Sequence, residues 1–465
     1  MATLLLSAGV GLLIAMLYAA SPLTIWVLAA TPLLFLLARR GLPAEERRAL
    51  TLLLGAALVT RVLLVGAMFI AGLPNLNDLS IGALAGDESY NLARALRSRD
   101  IVLGFATSKY DYFVATDEYG RTLYVNLLGW LQVIFGPTPY GMRLVNTMLF
   151  LTGATLLYRL VRRGFGPVPA LAGLAVVLFV PSLLVSSVSL LKESFYFFAT
   201  SVALVASVKA ARARNAWEIA GSIVVIVVCV WSLNDLRRSA ALLTLAGIGL
   251  GFAIHLVLGY RWRMAAAAAL LVVAGVVTAA QPALRQRALD AVVVVAKIHA
   301  GHVFTVGHAY KLMDEGFYIN PGIGPVWDIS LTEPQALRFL IRAGVSFVVT
   351  PLPWEMASRA ELAFLPEHAL WLVQLALVPI GVAAAWRRDR LVTSILIGYV
   401  IPIAAAVALT NGNVGTLLRL RGLVSPYLAW LSALGLLVVA EAILSRRSHA
   451  PGPHSPKLAS ERHLA

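Results

Sequence analysis

Charge is what this sequence has least of for its length. Asp, Glu, Lys and Arg make up 13% of its 465 residues, about half the share in ordinary soluble domains. With 59% hydrophobic residues and a mean hydropathy of +0.82, the chain could not cover a water-facing surface. That excludes a soluble globular fold and makes lipid the solvent for much of it. Cysteine occurs once, as Cys229 inside an apolar stretch, so no intrachain disulfide can form. No basic region or clear cleavage site accompanies the first apolar run, Met1 to Val10, and the N-terminal stretch reads as a retained helix. No internal repeat is visible, which argues against an inverted-repeat transporter.

What is present is a succession of apolar runs of bilayer-spanning length. Spans are expected at 4–20, 22–38, 49–72, 139–160, 168–186, 194–209, 217–233, 239–258, 264–280, 368–386, 391–409 and 423–444. The fold class is therefore all-α, a polytopic transmembrane helical bundle of about 12 spans with short amphipathic surface helices in its external loops. Five regions follow: an N-terminal hairpin (1–48), a transmembrane core (49–280) with an acidic first external loop (71–138), a second external segment (281–367), C-terminal helices (368–444) with an arginine-containing loop (410–422), and a disordered tail (445–465).

The net charge of +15 is nearly all arginine. Its clusters sit in short loops: Arg39-Arg40 with Arg47-Arg48, Arg162-Arg163, Lys209 to Arg214, Arg261 to Arg263, Arg387 to Arg390 and Arg446-Arg447. Alternating spans bring all of them to one side, the cytoplasmic one by the positive-inside rule, with both termini there. Loops of this kind suit anionic membrane lipids as partners and do not suit nucleic acid. A few cations fall instead on the outer side: Lys192, Arg237, Arg238, Arg419 and Arg421. Guanidinium groups there can hold a lipid phosphate bidentately. Alternatively, they pair with nearby acids (Lys192 with Glu193, Arg237 with Asp235) or snorkel to the interface.

In the first external loop, Gly86-Asp87-Glu88-Ser89-Tyr90-Asn91-Leu92-Ala93-Arg94-Ala95-Leu96 reads as a short surface helix. Leu92, Ala95 and Leu96 form its apolar side, and Asp87, Asn91 and Arg94 share the polar face. A carboxylate at such a helix start is held ionised by the dipole, as a general base requires. Asp87 could equally be an N-cap and nothing more.

The Asp-Glu-x-x-Tyr-x-x-x-Ala pattern after an early span resembles the first external loop of GT-C membrane glycosyltransferases, among them protein O-mannosyltransferases and aminoarabinose transferases of lipid A. Tyr124 to Gly136, Tyr140-Gly-Met-Arg-Leu-Val-Asn146, Tyr158 to Gly166 and Ser189-Leu-Leu-Lys-Glu193 extend the likeness. It covers roughly residues 49–260 and is looser beyond. The resemblance implies an inverting transferase on the non-cytoplasmic face of a bacterial inner membrane. It would take a polyprenyl-phosphate-linked sugar as donor and a glycan, lipid or protein as acceptor. Asp87 would be the catalytic acid with Glu88 beside it. Tyr90, Arg94, Lys192, Arg237, Arg238, His302, Arg419 and Arg421 would bind substrate, Arg419 or Arg421 foremost at the phosphate. The missing soluble C-terminal domain and the two extra N-terminal helices depart from the best-known members and leave the acceptor open.

In the second external segment, Phe339 to Val349 is too short to span and would lie on or dip into the membrane, with Trp327 and Trp354 as interfacial anchors. His299, His302 and His308 near Asp314 and Glu315 match no specific metal spacing, so no cofactor is expected. Asn411-Gly-Asn-Val-Gly-Thr416 reads as a tight polar turn whose N–H groups could help hold an anion. Two other activities fit the same outline: a polysaccharide polymerase or ligase, which would not need Asp87, and a lipid-linked-substrate transporter, which would place ionisable groups near the midplane. Within the expected spans, Arg61 and His255 are among the few such groups.

Overall fold

The computed structural model describes residues 22–72, 85–116, 123–237, 239–305, 307–319, 329–355 and 364–448, with residue 362 and scattered positions before residue 12. Among these residues the chain is helical; the β-type contact is an isolated bridge between Ala309 and Asn413. The helices are α1 (Pro22–Arg39), α2 (Ala44–Gly72), α3 (Ala85–Val102), α4 (Lys109–Thr116), α5 (Leu123–Phe135), α6 (Pro139–Phe165), α7 (Pro167–Phe179), α8 (Pro181–Val188) and α9 (Glu193–Arg212). They continue with α10 (Ala216–Leu236), α11 (Ala240–Val257), α12 (Arg261–Ala280), α13 (Pro282–Val303), α14 (Glu333–Val349), α15 (Leu365–Arg388), α16 (Arg390–Thr410), α17 (Val414–Arg421) and α18 (Ser425–Ser448).

Ten described helices are long and apolar enough to cross a membrane: α1, α2, α6, α9, α10, α11, α12, α15, α16 and α18. Counting the bent pair α7–α8 as one span gives eleven. The chain is thus an all-helical integral membrane protein. The expected span at 4–20 lies largely outside the described residues, as do Arg238, Trp327 and the tail from residue 449.

The span expected at 168–186 is not one straight helix: its halves meet at 61°. Pro181 causes the break, because it has no N–H to donate back into α7. The freed groups find partners from elsewhere. The Ser182 N–H donates to Glu367 Oε2 at 2.9 Å, and the Leu178 carbonyl accepts from Arg61 Nη2 at 3.0 Å. Arg61 also donates to Ser187 Oγ at 2.8 Å and to Ala57 O at 3.2 Å. A fully buried arginine in an apolar span is therefore occupied by mending a broken helix.

Between lipid-embedded helices, close approach needs small residues. A Cβ added at Gly381 of α15 would lie 1.8 Å from Leu431 O of α18, and one at Gly398 of α16 would lie 2.3 Å from Gly251 Cα of α11. Both contacts place backbone directly on backbone.

Alternating spans sort the connections to the two ends of the bundle. One end carries α3, α4 and α5, the turns before α9 and α11, the helices α13 and α14, and α17. The other carries the short turns after α1, α6, α9, α11 and α15. The amphipathic run expected at Phe339 to Val349 is part of α14, which opens with a Thr332–Gln335 capping box. It buries Ala336, Phe339, Ala343 and Phe347 and leaves Leu337, Ile341 and Val345 exposed.

Candidate functional site

The first external helix is longer than expected, Ala85 to Val102, and Asp87 and Glu88 both fall in its first turn. Asp87 is thus inside the helix and not at its N-cap. From there the two neighbours diverge. Asp87 points outward, its side chain 61% exposed. Glu88 points inward, fully buried, with Arg143 Nε and Nη2 each 2.8 Å from its Oε1.

Glu88 belongs to a structural lattice rather than to a reactive surface, which corrects the expectation of a second catalytic acid. Its Oε1 also accepts the Leu190 N–H at 2.9 Å. Asn146 Nδ2 donates to Ser189 O at 2.6 Å and to Leu191 O at 3.0 Å, and Asn91 Nδ2 donates to Leu190 O at 3.1 Å. The turn between α8 and α9 is thereby held by α3 and α6 together. Burial raises the pKa of Tyr124, whose hydroxyl accepts from Asn146 at 2.8 Å. This grip on the peptides of 189–191 fixes where Lys192 and Glu193 project.

They project toward α17. Arg419 Nη1 donates to Asp87 Oδ2, and Arg419 Nε lies 3.5 Å from Glu193 Oε1. Asp87 and Arg419 are 332 residues apart in the chain. Lys192 lies within electrostatic reach of Arg237, Glu193, Arg419 and Asp87. Burial, then Arg237, lower its pKa below the usual lysine value. At Arg419 burial acts downward too, but Glu193 and Asp87 outweigh it and the guanidinium ends above its ordinary value. Three cations and two carboxylates thus converge at one end of the bundle, on α3, the turn before α9, α9 itself, the turn after α10 and α17.

Other expected site residues are occupied elsewhere. Arg94 was expected on the polar face of α3, yet it is fully buried and donates to Val114 O at 3.0 Å and Ala115 O at 3.4 Å, closing the C-terminal end of α4. It also sits 5.3 Å from the centre of the half-exposed Tyr90 ring. Arg421 is engaged within the protein: its Nη2 donates to Phe347 O and Thr350 O, and Nη1 approaches His368 Nδ1 at 3.3 Å. The carbonyls it satisfies are orphans at the end of α14. Burial brings the Arg421 pKa down to about 10. His302 Nδ1 is 2.6 Å from Thr410 O and ties α13 to the end of α16. Arg238 lies outside the described residues.

The 411–416 segment leads into α17 and is partly engaged within the fold. Two of its N–H groups have partners: Val414 N donates to His308 O at 2.9 Å, and Thr416 N donates to Asn413 Oδ1 at 3.1 Å as the start of α17. Gly412 is required because a Cβ there would lie 2.6 Å from His299 O. His299 is buried edge-on against Tyr310, Tyr318 and Phe339, and burial pushes its pKa down to about 4. Among the described residues no group of three His, Cys, Asp or Glu side chains could hold a metal ion.

In the sequence Glu193 stands out only as a neighbour for Lys192, and Arg143 only as part of a motif; the partners they meet, Arg419 and Glu88, come from the fold. The useful signal was that Ser189–Glu193 and Tyr140–Asn146 each combine polar groups with apolar spans. No family model, curated protein or solved structure matches this chain.

Proposed function

We propose that this protein transfers a sugar from a polyprenyl-phosphate-linked donor to an acceptor hydroxyl or amine at the membrane surface, on the non-cytoplasmic side. The observation that carries this reading is the Asp87–Arg419 contact with Lys192, Glu193 and Arg237 around it. A general base and a phosphate-binding guanidinium stand side by side at the end of a lipid-embedded bundle.

In the resting state each neutralises the other. A donor phosphate entering the cluster competes with Asp87 for Arg419, and the carboxylate it displaces is free to act. Asp87 then takes the proton from the acceptor O–H as that oxygen attacks the anomeric carbon. The bond from that carbon to the phosphate oxygen breaks, and its electron pair leaves with the phosphate. Arg419, Lys192 and Arg237 stabilise the negative charge that gathers on the departing group. A single in-line displacement inverts the anomeric centre. Glu88, Arg143, Asn146 and Asn91 act through position, holding the turn that presents Lys192 and Glu193.

The competing transporter reading calls for ionisable groups near the midplane; of the few in the spans, Arg61 has its hydrogen bonds spent on the α7–α8 break. The test is sugar transfer from a polyprenyl-phosphate donor by purified protein and its Asp87→Asn and Arg419→Ala variants. Loss of transfer in both supports the proposal. Full transfer by Asp87→Asn removes the base and favours the polymerase or ligase reading.

A further inference from the structure

The opposite end of the bundle holds a cavity of about 260 Å³ between α6 and α9, closed on one side by the start of α10. Its walls come from two stripes of the same design. On α6 they are Leu156, Arg159, Leu160 and Arg163; on α9 they are Val205, Val208, Lys209 and Arg212. Both follow i, i+3, i+4, i+7 spacing, so each stripe lies on one helix face. Both helices end at this surface with a cation outermost; on α9 both apolar members lie deeper than the cations, and on α6 Arg159 sits between Leu156 and Leu160. Glu218 is the one acid in the lining, and its carboxylate already accepts from Asn215 Nδ2 at 3.0 Å.

The cations are not neutralised from within. Arg212 pairs with Asp389 at 2.5 Å, and Arg159 donates to the Leu37 and Ala38 carbonyls at the end of α1. Arg163 and Lys209 make no ion pair among the described residues, and both are exposed. Topology signalling needs only that basic residues be near the span ends. It does not need them to surround a cavity whose floor is leucine and valine.

We infer that this cavity is a binding site for an anionic phospholipid, its headgroup phosphate held by Arg163, Lys209 and Arg159 and its acyl chain lying along Leu156, Leu160, Val205 and Val208. Phosphate matches guanidinium and ammonium donors, and a basic pocket between membrane helices is a recognised setting for an anionic headgroup. The apolar floor is what selects a lipid over free phosphate. The site lies at the other end of the bundle from Asp87 and stands independently of the transferase reading.

The experiment uses the full-length protein in detergent and follows thermal unfolding while phosphatidylglycerol, phosphatidylcholine or inorganic phosphate is added, with native mass spectrometry to count retained lipids. The expected result is saturable stabilisation by phosphatidylglycerol with neither other addition effective. Arg163→Gln/Lys209→Gln should weaken that binding roughly 25-fold, at about a factor of five per surface cation. Arg261→Gln/Arg263→Gln removes the same charge from the same face outside the cavity and should leave binding intact. Phosphatidylcholine as effective as phosphatidylglycerol, inorganic phosphate as effective as the lipid, or equal weakening by the two double variants would each overturn the inference.

Discussion

The two ends of this bundle use charge in opposite ways. At the end carrying Arg162, acids tie neighbouring helices together: Glu46 accepts from Arg162 and, at 2.5 Å, from Tyr158, while Asp389 both pairs with Arg212 and caps α16. These contacts join the termini of helices that packing sets side by side, and the surplus positive charge rims a cavity. At the Asp87 end, long connections fold back as surface helices and carry their charges with them, so that Asp87 on α3 meets Arg419 on α17. Separation along the chain does not distinguish the two ends, since Arg162 meets Glu46 across 116 positions and Arg212 meets Asp389 across 177; what differs is that short turns hold their charges at helix termini, whereas long connections carry theirs on surface helices of their own.

The difference predicts a graded set of outcomes. Asp87→Asn should lower sugar transfer by about 10²- to 10⁴-fold, the range for loss of a general base, with the thermal midpoint nearly unchanged because the side chain is exposed. An initial-rate assay beside an unfolding scan checks both halves. Should the midpoint fall steeply instead, the Asp87–Arg419 contact would be a structural pair like those at the other end.

One residue along, the outcome reverses. Glu88→Ala leaves Arg143 buried without its carboxylate, which costs about 3–5 kcal/mol. Loss of folded yield and a lowered unfolding temperature are expected, whereas a Glu88→Ala protein of wild-type stability would contradict the lattice described around Leu190.

Lys192 sharpens the comparison through pH. It binds phosphate only as the ammonium, and its pKa is lowered, first by burial and then by Arg237. Activity is therefore present below that lowered pKa and lost as pH rises through it, earlier than for an ordinary lysine with a pKa of about 10.4. Removing a neighbouring positive charge raises the pKa, so Arg237→Gln should move the alkaline limb of the rate profile to higher pH. A limb that stays in place would separate Lys192 from the chemistry.

The smallest effect belongs to the other end. Arg162→Gln breaks a partly exposed pair with Glu46 and should cost about 1 kcal/mol or less, readable as a small shift in unfolding temperature with sugar transfer unaltered. A large loss of transfer in this variant would mean that the two ends are coupled.

Much of the architecture was legible in the chain itself. Apolar runs set the spans because lipid leaves backbone groups no partner except each other, and the arginine clusters sorted the turns to one side. Asp87 could be picked out from its place at the start of a surface helix. The fates of its neighbours could not. Glu88 and Arg94 are ionisable residues on the same short helix, and nothing in their spacing says that Arg143 and the α4 carbonyls will bury them. Arg419 and Arg421, two positions apart, look equivalent as a sequence, yet one faces Asp87 and the other closes the end of α14.

The sequence by itself therefore determined the solvent of this protein, its helical class and which loops would hold its polar groups, since these follow from local composition and from the cost of burying unpaired backbone. The tertiary structure decided which charges are free to act and which are consumed in holding helices together. Pairing is a matter of distance in space. Whether an arginine meets a carboxylate, a carbonyl or nothing depends on helices that packing brings together from far along the chain.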